Sequence, residues 1–170
     1  GTGVSINLSA ESIAHKDVID WLMPLTDFTQ SYYIVIEVTE TSLITQIGVA
    51  ARSLTILRKL GFKVALDDFG SGYSSLRYLT SMPVDIIKFD NSLIQGMHDE
   101  RLGKLVREMA EMLVDLGYSL VAEGIETEVL LDKVRKARFD YSQGYLLGKP
   151  ERDRNRIRQE KGEVVFLSQS

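Results

Sequence analysis

Lys63-Val64-Ala65-Leu66-Asp67-Asp68-Phe69-Gly70-Ser71-Gly72-Tyr73-Ser74-Ser75-Leu76 is the stretch on which the fold turns. Lys63–Leu66 is a short β-rich run, and two adjacent carboxylates stand at its end. Gly70 and Gly72 then permit the tight backbone of a loop over a ligand. Neighbouring carboxylates repel, so at neutral pH Asp67 and Asp68 want protons or a cation between them. With only oxygen donors nearby, hard ions such as Mg²⁺ or Mn²⁺ suit them. Asp68-Phe69-Gly70 also matches the metal-binding tripeptide of protein kinases, but no Gly-rich nucleotide loop or catalytic-loop signature accompanies it.

Outward from this stretch the same grammar repeats. Further β-rich runs lie at Val4–Leu8, Tyr33–Val38, Ile86–Phe89 and Ser119–Ala122, with a weaker one near Tyr141–Leu147. Between them run two apolar stripes at helical spacing. One is Ala50, Leu54, Leu57 and Leu60, and the other is Leu102, Leu105, Val106, Met109, Leu113 and Leu116. Gly61 and Gly117 follow the stripes where helices would end. No short internal repeat is evident. Strands alternating with helices imply a parallel sheet, open or closed as a barrel. Polar residues decide between the two, because the runs end in Asn7, Glu37, Asp67 with Asp68, Lys88 with Asp90, Glu123 and Gln143. In an α/β barrel such strand ends share one catalytic mouth, so a barrel is expected.

Composition sets the outer bounds. The 170 residues carry a net charge of −4 and no cysteine, which excludes disulfides and thiolate metal sites and gives no footprint for a nucleic-acid polymer. No apolar run approaches bilayer-spanning length and the N-terminus lacks a signal-peptide pattern, so a cytoplasmic setting is expected, with a membrane anchor left open for a larger parent protein. His15 and His98 sit in polar segments and read as exposed. The run Glu151–Arg158 alternates in charge and reads as a solvated tail.

Six blocks, in order, resemble EAL-domain cyclic di-GMP phosphodiesterases. Asp67-Asp68-Phe69-Gly70-Ser71-Gly72-Tyr73-Ser74-Ser75 is similar to the family's loop, with Ser71 for the usual Thr. The others are Asn7-Leu8-Ser9, Glu37-Val38-Thr39-Glu40-Thr41, Ile87-Lys88-Phe89-Asp90, Val121-Ala122-Glu123-Gly124-Ile125-Glu126-Thr127 and Gln143-Gly144-Tyr145. The resemblance implies an EAL-type modified TIM barrel over residues 1–150; after it comes a charged tail, 151–170, in which 164–167 reads as a short strand or an intermolecular contact. It implies hydrolysis of cyclic di-GMP to linear pGpG in bacterial signalling, with two metal ions, Mg²⁺ or Mn²⁺, and inhibition by Ca²⁺. Asn7, Glu37, Asp67, Asp68 and Glu123 would hold metal, Lys88 would position the attacking water, Glu123 would act at the metal or as general base, and Gln143 would complete the floor. Glu40 would brace the Gly70–Ser75 loop with Glu126 close by.

Alone, several of these residues have plainer readings: Asn7 as a turn or cap, Glu37 as a strand-edge charge, Lys88 as a solvated lysine, and Glu40 and Glu126 as helix starts. The Glu-Ala-Leu segment that names the family is absent, so an N-terminally incomplete barrel lacking its first strand is expected. Its unpaired strands imply self-association or an imperfectly sealed core. The resemblance further implies a homodimer through residues 75–97 and fused sensory or GGDEF domains in a parent protein. A catalytically inactive cyclic di-GMP receptor or protein-docking module is the alternative function, and an unrelated metal-dependent barrel enzyme a third.

Overall fold

The computed structural model describes residues 3–40, 47–71, 79–148 and 165–166. The chain divides into two compact units, Gly1–Ile87 and Lys88–Ser170. Among the described residues, no helix is long and apolar enough to cross a membrane.

In the first unit, β1 (Gly3–Asn7), β2 (Tyr33–Thr39) and β3 (Lys63–Phe69) lie parallel in chain order. Short helices α1 (Ala10–Ala14) and α2 (Val18–Leu22) and a 3₁₀ segment, Met23–Phe28, connect β1 to β2. Ser9 starts α1 by accepting from Ser12 N at 3.1 Å. Helix α3 (Ile47–Lys59) precedes β3 and buries Ala50, Leu54 and Leu57 completely. Its end is a Schellman motif. Phe62 N donates to Leu57 O and Gly61 N to Arg58 O, each at 3.1 Å, with Gly61 at φ +97°.

The second unit contains β4 (Ile86–Phe89, from Lys88 on), α4 (Asn91–Gly96), α5 (Glu100–Asp115), β5 (Ser119–Ala122), α6 (Glu128–Arg135), β6 (Tyr141–Ser142) and β7 (Val165–Phe166). Strand β6 pairs parallel with β5 and antiparallel with β7, where Tyr141 faces Phe166. Phe89 and Phe139 meet edge to face at 4.9 Å in the core. Asp99 caps α5 by accepting from Leu102 N at 2.9 Å, and Thr127 caps α6 by accepting from Leu130 N at 3.2 Å.

Two expectations change in detail. The α5 stripe is narrower than its sequence: Val106, Ala110 and Leu113 are fully buried, but Leu105 and Leu116 are more than half exposed. They lie on the shoulder of the buried arc, where a leucine fits helical spacing without reaching the core. The weak run near Tyr141–Leu147 yields a strand of only two residues. After Gln143 the chain turns, with Leu147 N and Gly148 N both donating to Gly144 O at 3.0 and 3.1 Å.

The units share a repeated frame that the sequence reading did not find. Helix α5 ends as α3 does, with Tyr118 N donating to Leu113 O, Gly117 N donating to Val114 O and Gly117 at φ +91°. At one constant offset along the chain, Leu57, Gly61, Val64 and Asp67 correspond to Leu113, Gly117, Leu120 and Glu123. Each strand is also gripped at its start by an aspartate. Asp85 N donates to Val64 O at 2.8 Å and Asp85 Oδ2 accepts from Val64 N at 3.0 Å. Asp140 repeats the pair on Leu120, at 3.1 and 2.8 Å. These side chains satisfy backbone donors at the strand starts and fix register there.

Candidate active site

Register places the first unit's candidate ligands. Asn7 lies beside Glu37, and Thr39 beside Asp67. Residues two apart on a strand share a face, so Asn7, Glu37 and Asp67 stand on one sheet face at the C-terminal ends of three adjacent parallel strands. The alternate residues of β2, Ile34, Ile36 and Val38, are buried on the other face. Strand-end placement follows from the sequence, since each polar residue closes an apolar run.

Asp68 departs from strand geometry. Its φ is +57°, the left-handed region, which an aspartate tolerates better than most side chains. The chain therefore leaves strict alternation at this residue, and Asp68 N donates to Asp67 Oδ1 at 3.1 Å. Ser71 closes the turn, with its N and Oγ donating to Asp68 O at 3.1 and 2.8 Å. Gly70 N donates to Glu40 Oε2 at 3.4 Å, and Glu40 is buried. The predicted brace includes this contact at Gly70. Residues 72–75 lie outside the described residues, as do the tail residues 151–164.

In the second unit, Lys88 is buried, only 7% exposed, and its Nζ lies 2.8 Å from Glu123 Oε1. A buried ammonium needs such a partner, because removal from water penalises the charged form. Glu123 follows β5, and its N donates to Phe89 O at 3.2 Å. Gln143 is held by its backbone alone on both sides: its N donates to Ala122 O at 2.8 Å and its O accepts from Ile125 N at 3.0 Å. A cavity of about 270 Å³ opens here, lined by Asn91, Glu123, Gly124, Glu126, Gln143, Gly144 and Tyr145. Glu126 thus borders the same cavity as Glu123 and Gln143. Asp90 instead caps α4, accepting from Ser92 N at 2.9 Å and contacting Ser92 Oγ. His15 and His98 are exposed as expected.

Asn91 and Tyr145 border the cavity without having been singled out as site residues. Tyr145 belonged to a recognised block. Asn91 carried no signal beyond following Asp90. The first unit's donors are all oxygen, from an amide and carboxylates, which suits a hard divalent cation and disfavours a soft one.

Comparison with known proteins gives the family. Residues 1–150 match the EAL domain. The cyclic di-GMP phosphodiesterase PdeB of Shewanella oneidensis is 32% identical over 151 residues, covering 87% of this chain and 18% of PdeB. The probable cyclic di-GMP phosphodiesterase PdeG of Escherichia coli is 35% identical over 153 residues, covering 88% of this chain and 30% of PdeG. The chain therefore spans less than a third of the length of these curated relatives. BlrP1 of Klebsiella pneumoniae, solved as a calcium and cyclic di-GMP complex, superposes with a TM-score of 0.77 at 35% identity, covering 86% of this chain and 38% of BlrP1. The α/β fold class holds, and the chain belongs to the EAL domain family.

Proposed function

We propose that this domain serves the metal-dependent hydrolysis of cyclic di-GMP to linear pGpG in bacterial second-messenger signalling. The observation that carries the proposal is the buried Lys88–Glu123 pair, 2.8 Å apart, whose Glu123 lines a cavity. A surface lysine would have no reason to be there. Relatives named as cyclic di-GMP phosphodiesterases supply the substrate.

Asn7, Glu37, Asp67, Asp68 and Glu123 are the proposed holders of Mg²⁺ or Mn²⁺. Bound divalent ions supply Lewis-acid stabilisation and lower the pKa of water. The chain's own residues do the rest. Lys88 fixes the Glu123 carboxylate and supplies positive charge where the attacking water is held. Glu123 accepts that water's proton, or ligates metal. Gln143, set by two backbone hydrogen bonds, closes the floor, and Glu40 and Glu126 support loops bordering the site. Fused regulatory domains, a homodimeric state and a cytoplasmic setting belong to the same proposal, the first of them supported by relatives several times longer than their match to this chain.

The test is Glu123→Gln in the full-length protein, following pGpG by chromatography and cyclic di-GMP binding by calorimetry with Mg²⁺ and with Ca²⁺. Hydrolysis should fall by about 10²-fold or more, as expected for loss of a general base. An unsubstituted protein that binds the nucleotide without hydrolysing it would instead be a receptor. Undiminished hydrolysis by Glu123→Gln would refute the role of this carboxylate.

A further inference from the structure

The turn after Glu123 is held from one side by helix α4. Gln95 donates from Nε2 to Gly124 O at 2.7 Å. Asn91, one turn earlier on α4, packs so closely that a β-carbon on Gly124 would lie 1.9 Å from Asn91 Oδ1. Gly124 sits at φ +72°, a conformation a glycine adopts without steric cost. On the other side, Ile125 N donates to Gln143 O at 3.0 Å, and a β-carbon on Gly144 would lie 2.2 Å from Ile125 N. The backbone from Glu123 to Ile125 is therefore gripped between α4 and the Gln143–Gly144 turn.

Gly124 is also the weak point of this arrangement. Without a side chain, it lets the Gly124–Ile125 peptide, which carries that carbonyl, turn about the Gly124 α-carbon once the carbonyl is released. With Ile125 N held on Gln143 O, such a turn is taken up on the Glu123 side, where the carboxylate lies 2.8 Å from Lys88 Nζ. Gln95 is half-buried and its amide is aimed at that carbonyl. We propose that Gln95 is a positioning residue for Glu123, acting through the Gly124 carbonyl to hold the carboxylate in register with Lys88. The inference rests on the hydrolase reading above. A displacement on the order of 1 Å at a reacting group costs about 10²-fold in rate, and loss of supporting contacts typically costs about 10- to 100-fold.

The experiment uses the full-length protein with Gln95→Met and Gln95→Glu, which keep the side chain's length and remove its donor, and Gln95→Lys, which restores one. Steady-state hydrolysis of cyclic di-GMP, melting temperature and hydrogen exchange over residues 123–126 are measured together. A fall in kcat of about 10-fold or more in both donor-free variants is expected, with KM within about twofold. Exchange should quicken at residues 123–126, and Gln95→Lys should recover part of kcat. A kcat within about twofold of the unsubstituted protein in Gln95→Met overturns the inference. So does a loss that is equal in all three variants and proportional to loss of folded protein. If the unsubstituted protein hydrolyses nothing, the hydrolase reading itself fails, before any variant is compared, and the inference falls with it.

Discussion

Replacing Lys88 with methionine isolates the energetics of the buried pair. Lys88 Nζ and Glu123 Oε1 are 2.8 Å apart, with side chains 8% and 20% exposed. At an effective dielectric constant of about 20, unit charges at that separation attract by about 6 kcal/mol. Most of this is offset by the several kcal/mol needed to desolvate the ammonium. Methionine occupies a similar volume without that cost but removes the Lys88 charge that pairs with Glu123. Breaking a fully buried pair costs about 3–5 kcal/mol, and because Glu123 keeps some access to water, a loss of about 2–3 kcal/mol is expected. Neutralising the carboxylate as well, in Lys88→Met with Glu123→Gln, should restore most of it. The assay is urea denaturation of the four proteins in chelator, so that no cation substitutes for the lysine. The double-mutant cycle should return a coupling of about 2 kcal/mol. A coupling below about 0.5 kcal/mol would mean that the two groups do not support each other, and the carrying observation of the functional proposal would be lost.

Three further outcomes follow from other contacts. Asp140→Ala removes the acceptor for Leu120 N and should cost about 1–3 kcal/mol in denaturant unfolding, whereas Asp140→Asn, which keeps a carbonyl oxygen, should cost less than half of that. Gly144→Ala forces a β-carbon to within 2.2 Å of the Ile125 backbone, so it should destabilise by about 2 kcal/mol or more and expose residues 125–146 to faster hydrogen exchange. Asp68→Gly relieves a left-handed aspartate and should raise stability by up to about 1 kcal/mol while abolishing hydrolysis, and a loss of both stability and activity would count against strain at this residue.

What the sequence disclosed was set by how locally each feature is encoded. The strand ends were legible because a polar residue closing an apolar run is a local pattern, and Asn7, Glu37, Asp67, Lys88 and Glu123 all lie within the last three residues of a strand or directly after one. The glycine stops were equally local, and Gly61 and Gly117 both adopt positive φ. Burial within a helix was less legible. Leu105 and Val106 are adjacent and similarly apolar, yet only neighbouring elements decide that Val106 is buried and Leu105 exposed. The aspartate clamps were missed because Asp85 and Asp140 lie in turns, where an acidic residue is unremarkable until its partner strand is known. Lys88 shows the same limit in reverse. Its isolated chemistry pointed to solvent, and Glu123, just after another strand, reverses that.

The aspartate clamps and the site residues divide the labour of each unit between the two ends of its strands. Asp85 and Asp140 secure strand starts, with Arg58 adding hydrogen bonds of 2.8–3.2 Å to Asp85. Asp67, Glu123 and Gln143 stand at the opposite ends, where the proposed function places the ligand. In α/β barrels stability resides at the N-terminal face and chemistry at the C-terminal face. This chain achieves the separation with one recurring frame: helix, Schellman glycine, clamped strand start, functional strand end. A strand as short as β6 can then present Gln143 accurately, because Asp140 fixes its start and the Ala122 carbonyl holds the Gln143 N–H at its end. Register, rather than strand length, is what places the functional side chain. Shifting β6 by one residue would turn Gln143 to the opposite face, which is the error the Asp140 clamp prevents.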